Sequence, residues 1–186
     1  MAIKTASGSD LRNSLSSGLV LLNTTSFSAV ASQAVSSCFS STYKNYKIII
    51  DLTASSTNAN IYLKLRATST DSSTGYTQGM PLQPASGGAI TNLSQASATA
   101  GFWVSAVHTS ISSIHGNTSV IDLFRPFETV YTTHNAFVSF TSSSDGSYYG
   151  GAGTGRHENS TSYNSLNLIS SAGTITGVMT IYGYND

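Results

Sequence analysis

The chain has 186 residues, no formal net charge, and 9% charged residues against 39% hydrophobic ones, with 10 tyrosines among them. So few charges beside so many aromatics exclude a disordered chain, and eight Lys and Arg without a cluster exclude electrostatic binding of nucleic acid or an anionic membrane. A domain of this length buries a core without staples, and the single cysteine, Cys38, can form no intrachain disulfide and reads as a small buried thiol.

The polar surface must then be built from hydroxyls and amides, and a neutral, hydroxyl-rich surface does little to keep copies apart, so an oligomer is expected. The N-terminus has no basic segment followed by an apolar core, and no apolar run approaches the roughly 18 residues of a membrane span. The expectation is a protein made and folded in a cytoplasm.

Residues 1–17 are polar and irregular, with Asp10-Leu-Arg-Asn-Ser-Leu as one helical turn, and they read either as an arm that docks on a neighbour or as a frayed terminus. Residues 18–186 read as one β-sandwich domain. Gly18-Leu-Val-Leu-Leu-Asn starts a first strand, Thr25-Ser-Phe-Ser-Ala-Val-Ala a second, and Ala34-Val-Ser-Ser-Cys-Phe a third. Lys44 to Arg66 holds the central pair: a continuous Ile48-Ile49-Ile50, suited to a strand covered on both sides or central in a sandwich, then Ile61, Leu63 and Leu65 alternating with Tyr62, Lys64 and Arg66.

From Asp71 to Ala100 the prolines and glycines predict a long excursion with one edge strand near Gly88-Ala-Ile. Strand character resumes at Gly101-Phe-Trp-Val-Ser-Ala-Val-His, where the lone tryptophan reads as core or subunit interface. Ser119-Val-Ile-Asp-Leu-Phe is a strand ended by Pro126, and Asn135-Ala-Phe-Val-Ser-Phe alternates again. A glycine-rich surface loop is predicted over 142–162, followed by Ser165-Leu-Asn-Leu-Ile-Ser and Thr174-Ile-Thr-Gly-Val-Met-Thr-Ile-Tyr as a hairpin. Eight to ten short strands without helical periodicity predict an all-β antiparallel sandwich of jelly-roll type.

Gly150-Gly-Ala-Gly-Thr-Gly has neither the spacing nor the strand–helix context of a phosphate loop. Instead its surroundings would display Tyr148, Tyr149, Arg156 and His157 at a loop tip as candidate contacts for a glycan or a neighbouring subunit. Tyr76, in the excursion before them, reads as a ligand contact or, more naturally, as a packing or subunit-contact residue. His108, His115, His134 and His157 lack any spacing that converges on a metal from one element, and Gly-x-Ser-x-Gly is absent. Asp51, Asp122 and Glu128 are the acids on or near strands that a glycosidase would need to pair. The four Asn-x-Ser/Thr triplets are expected by chance in so Ser- and Thr-rich a chain. The expectation is no catalytic site, no metal and no cofactor.

Four phrases carry a resemblance: Gly18-Leu-Val-Leu-Leu-Asn-Thr-Thr-Ser-Phe-Ser-Ala-Val-Ala-Ser, Phe39-Ser-Ser-Thr-Tyr-Lys-Asn-Tyr-Lys-Ile-Ile-Ile-Asp-Leu, Leu63-Lys-Leu-Arg-Ala, and Gly173-Thr-Ile-Thr-Gly-Val-Met-Thr-Ile-Tyr-Gly-Tyr. Together they resemble tail-fibre or structural proteins of tailed bacteriophages of the marine and cyanophage type. The resemblance covers about residues 18–186, is weakest between Met80 and Gly116, and falls on strand residues. It therefore implies a fold and a virion location rather than a functional site. It also implies a homotrimer, with other capsid or tail proteins as partners, and a non-enzymatic structural role as a short fibre, knob or capsid decoration. The alternative is a carbohydrate-binding module that recognises a host surface glycan. Fibres of that kind set the module behind a long stalk, whereas about 17 residues precede it here, which suits a knob or decoration.

Overall fold

A computed structural model describes residues 18–109, 111 and 116–185. The predicted arm at 1–17 and His115 lie outside the described residues. Thirteen strands follow in chain order: β1 (Gly18–Val30), β2 (Ser32–Val35), β3 (Asn45–Ser55), β4 (Ala59–Ala67), β5 (Thr70–Asp71), β6 (Tyr76–Pro84), β7 (Thr91–Ala98), β8 (Phe102–Val107), β9 (Asn117–Phe124), β10 (Thr132–Thr141), β11 (Tyr148–His157), β12 (Ser165–Ser170) and β13 (Ile175–Asn185). They form an eight-stranded sheet, β1-β13-β3-β9-β10-β11-β6-β7, and a five-stranded one, β2-β12-β4-β5 with β8 also on β4. Every pairing is antiparallel.

Alternation drives the packing. Ile48, Ile50 and Leu52 on β3, Ile121 and Leu123 on β9, Val138 and Phe140 on β10, and Met179 and Ile181 on β13 point inward from the large sheet. Ile61, Leu63 and Leu65 on β4 and Leu166 and Leu168 on β12 meet them from the small sheet in one continuous core. Each such large apolar side chain contributes on the order of 1.5–3 kcal/mol by leaving water. β3 is central, as its isoleucine run predicts, but only Ile48 and Ile50 are fully buried. Ile49 faces outward beside Val120 and Thr180 and stays half-buried.

Several sequence expectations are corrected. The two strands expected between Gly18 and Ala31 are one, β1, bent by irregularities at Leu21/Asn23 and Phe27/Val30. β3 and β4 do not pair with each other, since β3 joins the large sheet and β4 the small one. The same holds for β12 and β13, expected as a hairpin: the turn at Ser171–Gly173 crosses between sheets. Turn residues encode a reversal, and sheet membership depends on which distant strand is met.

The excursion predicted over 71–100 is instead a hairpin, β6 with β7, and Gly88-Ala-Ile lies in its connection. Pro81 sits inside β6 although β6 has neighbours on both sides. The ladder to β11 lapses across Met80 and Pro81, between Leu82↔Gly151 and Gly79↔Thr154, where the proline has no N–H to give. Trp103 is 3% exposed and every residue of β8 is buried, so the tryptophan belongs to the core.

Candidate functional site

The residues predicted to sit at a loop tip lie on β11, a strand in the interior of the large sheet. Strand parity then divides them. Tyr148 and Arg156 point outward and are exposed, Tyr149 is half-buried, and His157 is fully buried. Tyr76, opposite His157 on β6, is fully buried as well. His157, expected at a displayed loop tip, is corrected to a core position, and of the readings of Tyr76 it is packing that the structure shows: their rings meet edge to face at 4.5 Å inside the core. The Tyr76 hydroxyl accepts the Leu65 N–H at 2.9 Å, a structural duty that closes β6 onto β4.

Glycine parity explains why this stretch forms a strand. Gly151, Gly153 and Gly155 alternate on the inward face, and a Cβ on Gly153 would stand 2.5 Å from the Gly79 carbonyl and 2.6 Å from Met80 Cβ. Without side chains there, β6 lies close across β11. Gly155 likewise leaves room for His134, whose Cε1 would be 2.6 Å from an added Cβ.

His134 and His157 belong to one buried polar cluster. Phe102 lies between His134, tilted against it at 4.2 Å, and Tyr76, edge-on at 4.9 Å, and Tyr163 meets His157 at 5.2 Å. His157 Nε2 lies 2.8 Å from Ser72 Oγ. Neither ring nitrogen of His134 has a hydrogen-bond partner. Burial pushes its pKa down to about 4, and burial also lowers that of His157. Among the described residues no three His, Cys, Asp or Glu side chains come together as metal ligands.

The acids are engaged individually. Asp51 accepts a hydrogen bond from Thr118 Oγ1 at 2.7 Å, and Asp122 pairs with Lys47 at 2.6 Å and accepts from the Tyr184 hydroxyl. Glu128 is bound by Arg125, and Arg156 by Glu158 at 2.7 Å. Cys38 is buried, and burial drives its thiol pKa up to about 12. Native protein at pH 8 is therefore expected to leave a disulfide-based thiol reagent unreacted, with one equivalent released on unfolding; rapid labelling of native protein would contradict the buried placement.

The surface has one further feature, at the edge of the large sheet. β1 runs 13 residues with no strand paired on one side among the described residues, and between Gly18 and Tyr43 there is no charged residue and no proline. Open edges are usually blunted by such residues. Instead Leu19 and Leu21 are 45% and 58% exposed, side by side with Tyr184 and Tyr182. Further across the same outer face Phe137 is 62% exposed, level with Ala152, Val120 and Ile49. The sequence signal for this edge, an uncharged run of 26 residues, was readable but is equally the mark of a buried strand.

Searches with family models, against curated proteins and against solved structures give no match for the chain.

Proposed function

We propose that the chain is a non-enzymatic structural protein of a tailed-phage virion, a jelly-roll module assembled as a homotrimer on the particle exterior as a short fibre, knob or capsid decoration. The virion location rests on the likeness of its strand phrases to such proteins. The observation that carries the assembly is the uncharged, proline-free and apolar edge of β1.

In a three-fold ring each contact is heterologous, so the β1 edge of one copy must meet a different surface of the next. The other open edge of the same sheet, β7, is also free of charge and proline over Thr91–Ala98. Main-chain hydrogen bonds between two such edges would extend the sheet from copy to copy. Light scattering should then give about three times the 19.4 kDa chain mass, and Leu19→Lys with Leu21→Lys should reduce it to one. A wild-type monomer would overturn the trimer. The virion role is checked separately, by finding the chain in purified phage particles with an antibody raised against it.

A further inference from the structure

A cavity of about 220 Å³ opens where the β6–β7 hairpin meets β8 and the turn at 142–147. Its apolar lining combines Leu82, Leu93 and Ala106 with three rings. Phe140 and Trp103 are each 3% exposed and form the floor, leaving half-buried Tyr149 as the ring a ligand can reach. The Phe140 and Tyr149 rings stack at 5.8 Å with 15° between their planes, and Trp103 meets Phe140 edge-on at 5.2 Å. The rim is of another chemistry: the Asn60 amide and the hydroxyls of Thr91, Ser142 and Ser144. Tyr149 reaches this cavity, whereas Tyr148 and Arg156 do not line it.

The polar groups are held in place before any ligand arrives. Asn60 Oδ1 accepts the Trp103 indole N–H at 3.2 Å, a bond in which the Asn60 Nδ2 donors take no part. Asn58 ties the β3–β4 connection to the rim by donating to the Ser143 carbonyl at 2.9 Å and accepting the Thr109 N–H at 2.9 Å. The turn is closed by the Ser142 N–H to the Ser147 carbonyl at 2.8 Å and by Ser142 Oγ against Ser144 Oγ at 2.8 Å. A preformed rim lowers the entropy lost on binding.

We propose that this cavity binds the terminal pyranose of a neutral glycan. The Tyr149 ring with the aliphatic side chains beside it covers the C–H face of a sugar ring, and hydroxyls and an amide exchange hydrogen bonds with its hydroxyls. Rings, aliphatic side chains, hydroxyls and an amide form a neutral lining, which suits an uncharged sugar better than a phosphate or a carboxylate, whose desolvation would go uncompensated. Thr91 and Leu93 of β7 line the cavity, so it borders the edge offered to a neighbouring β1; sugar titration and light scattering on the same samples read the two proposals separately.

Trp103 is the chain's only tryptophan, so emission excited at wavelengths beyond the tyrosine absorption band comes from one ring on the lining of this cavity. The full chain is titrated into the millimolar range with the methyl pyranosides of glucose, galactose, mannose and N-acetylglucosamine. A saturable change in Trp103 emission is expected with at least one of them. Tyr149→Ala should weaken it by at least about tenfold, the size of loss seen when an aromatic anchor is removed from a site. Thr91→Tyr, at an exposed position on the mouth, should do the same without disturbing the packed wall, and it decides the matter if Tyr149→Ala fails to fold. Tyr148→Ala should bind as wild type. No saturable change with any of the four glycosides, or equal binding by Thr91→Tyr, overturns the proposal.

Discussion

Gly153→Ala is expected to destabilise the protein by about 3 kcal/mol, at the upper end of what one inserted methyl does in a packed interior. The added Cβ would stand 2.5 Å from the Gly79 carbonyl oxygen, 2.6 Å from Met80 Cβ and 2.9 Å from Met80 Cα. Two of those three atoms are main chain, and Met80 is itself 2% exposed, so no side-chain rotation relieves the contact. β6 must move away from β11, and with it β7. Gly150→Ala is the control. Its Cβ points to the outer face and meets only the Val138 carbonyl at 3.8 Å. There the loss of unfolded-state freedom dominates, and the change should be neutral or stabilising by about 0.5 kcal/mol. Thermal unfolding separates the two: Gly153→Ala should lower the midpoint by roughly 6–12 °C in a chain of this size, while Gly150→Ala leaves it within about 2 °C of wild type. Equal shifts would mean that β6 does not lie across β11 as described.

The second large effect is on pH dependence. His134 titrates near 6.5 in the unfolded chain and, because it is buried, at about 4 in the native one. Above pH 6.5 it is neutral in both states and its contribution to stability is fully present. As pH falls below 6.5 the unfolded chain takes up a proton that the native chain cannot, so stability drops by about 1.4 kcal/mol per unit until the native pKa is reached. The loss totals about 3 kcal/mol by pH 4. His157, also lowered, acts in the same direction. The surrounding rings of Phe102, Tyr76 and Tyr163 offer an imidazolium no counter-charge, and the acids that act on the cluster do so elsewhere, Glu158 on His157 and Asp71 on Tyr76, while burial alone acts on His134. Glu128 and Asp145, both held below their usual range by hydrogen bonds, add to acid sensitivity only below about pH 5. The window from pH 6.5 to 5 therefore isolates the histidines. Urea unfolding at pH 7, 6 and 5 should show the wild-type midpoint falling and His134→Leu falling distinctly less. A wild-type midpoint constant across that range would show that His134 is solvated in the native protein.

Much of the strand content was legible because alternation is local. Ile61, Leu63 and Leu65, or Phe140 and Val138, mark an inward face whatever strand they meet. Trp103 and Cys38 read correctly as buried for the same reason: bulk and apolarity restrict where they can go. Parity failed where side chains are missing. In Tyr148–His157 the inward positions between Tyr149 and His157 are all glycine, so no hydrophobic alternation appears, and a strand looks like a loop. With the strand unrecognised, the buried His157 and half-buried Tyr149 could not be told from the exposed Tyr148 and Arg156.

By itself the sequence determined the all-β class, the central place of the isoleucine strand and the low surface charge, all of which follow from composition and period. Only the tertiary structure decided that β3 and β4, and likewise β12 and β13, belong to different sheets, because a turn reverses the chain without specifying its partner. It also decided that His134 is buried without a hydrogen-bond partner, and that Tyr149, Trp103 and Asn60 share one cavity. Those three residues stand on β11, β8 and β4, and no local pattern records which distant side chains two packed sheets bring within a few ångströms of one another.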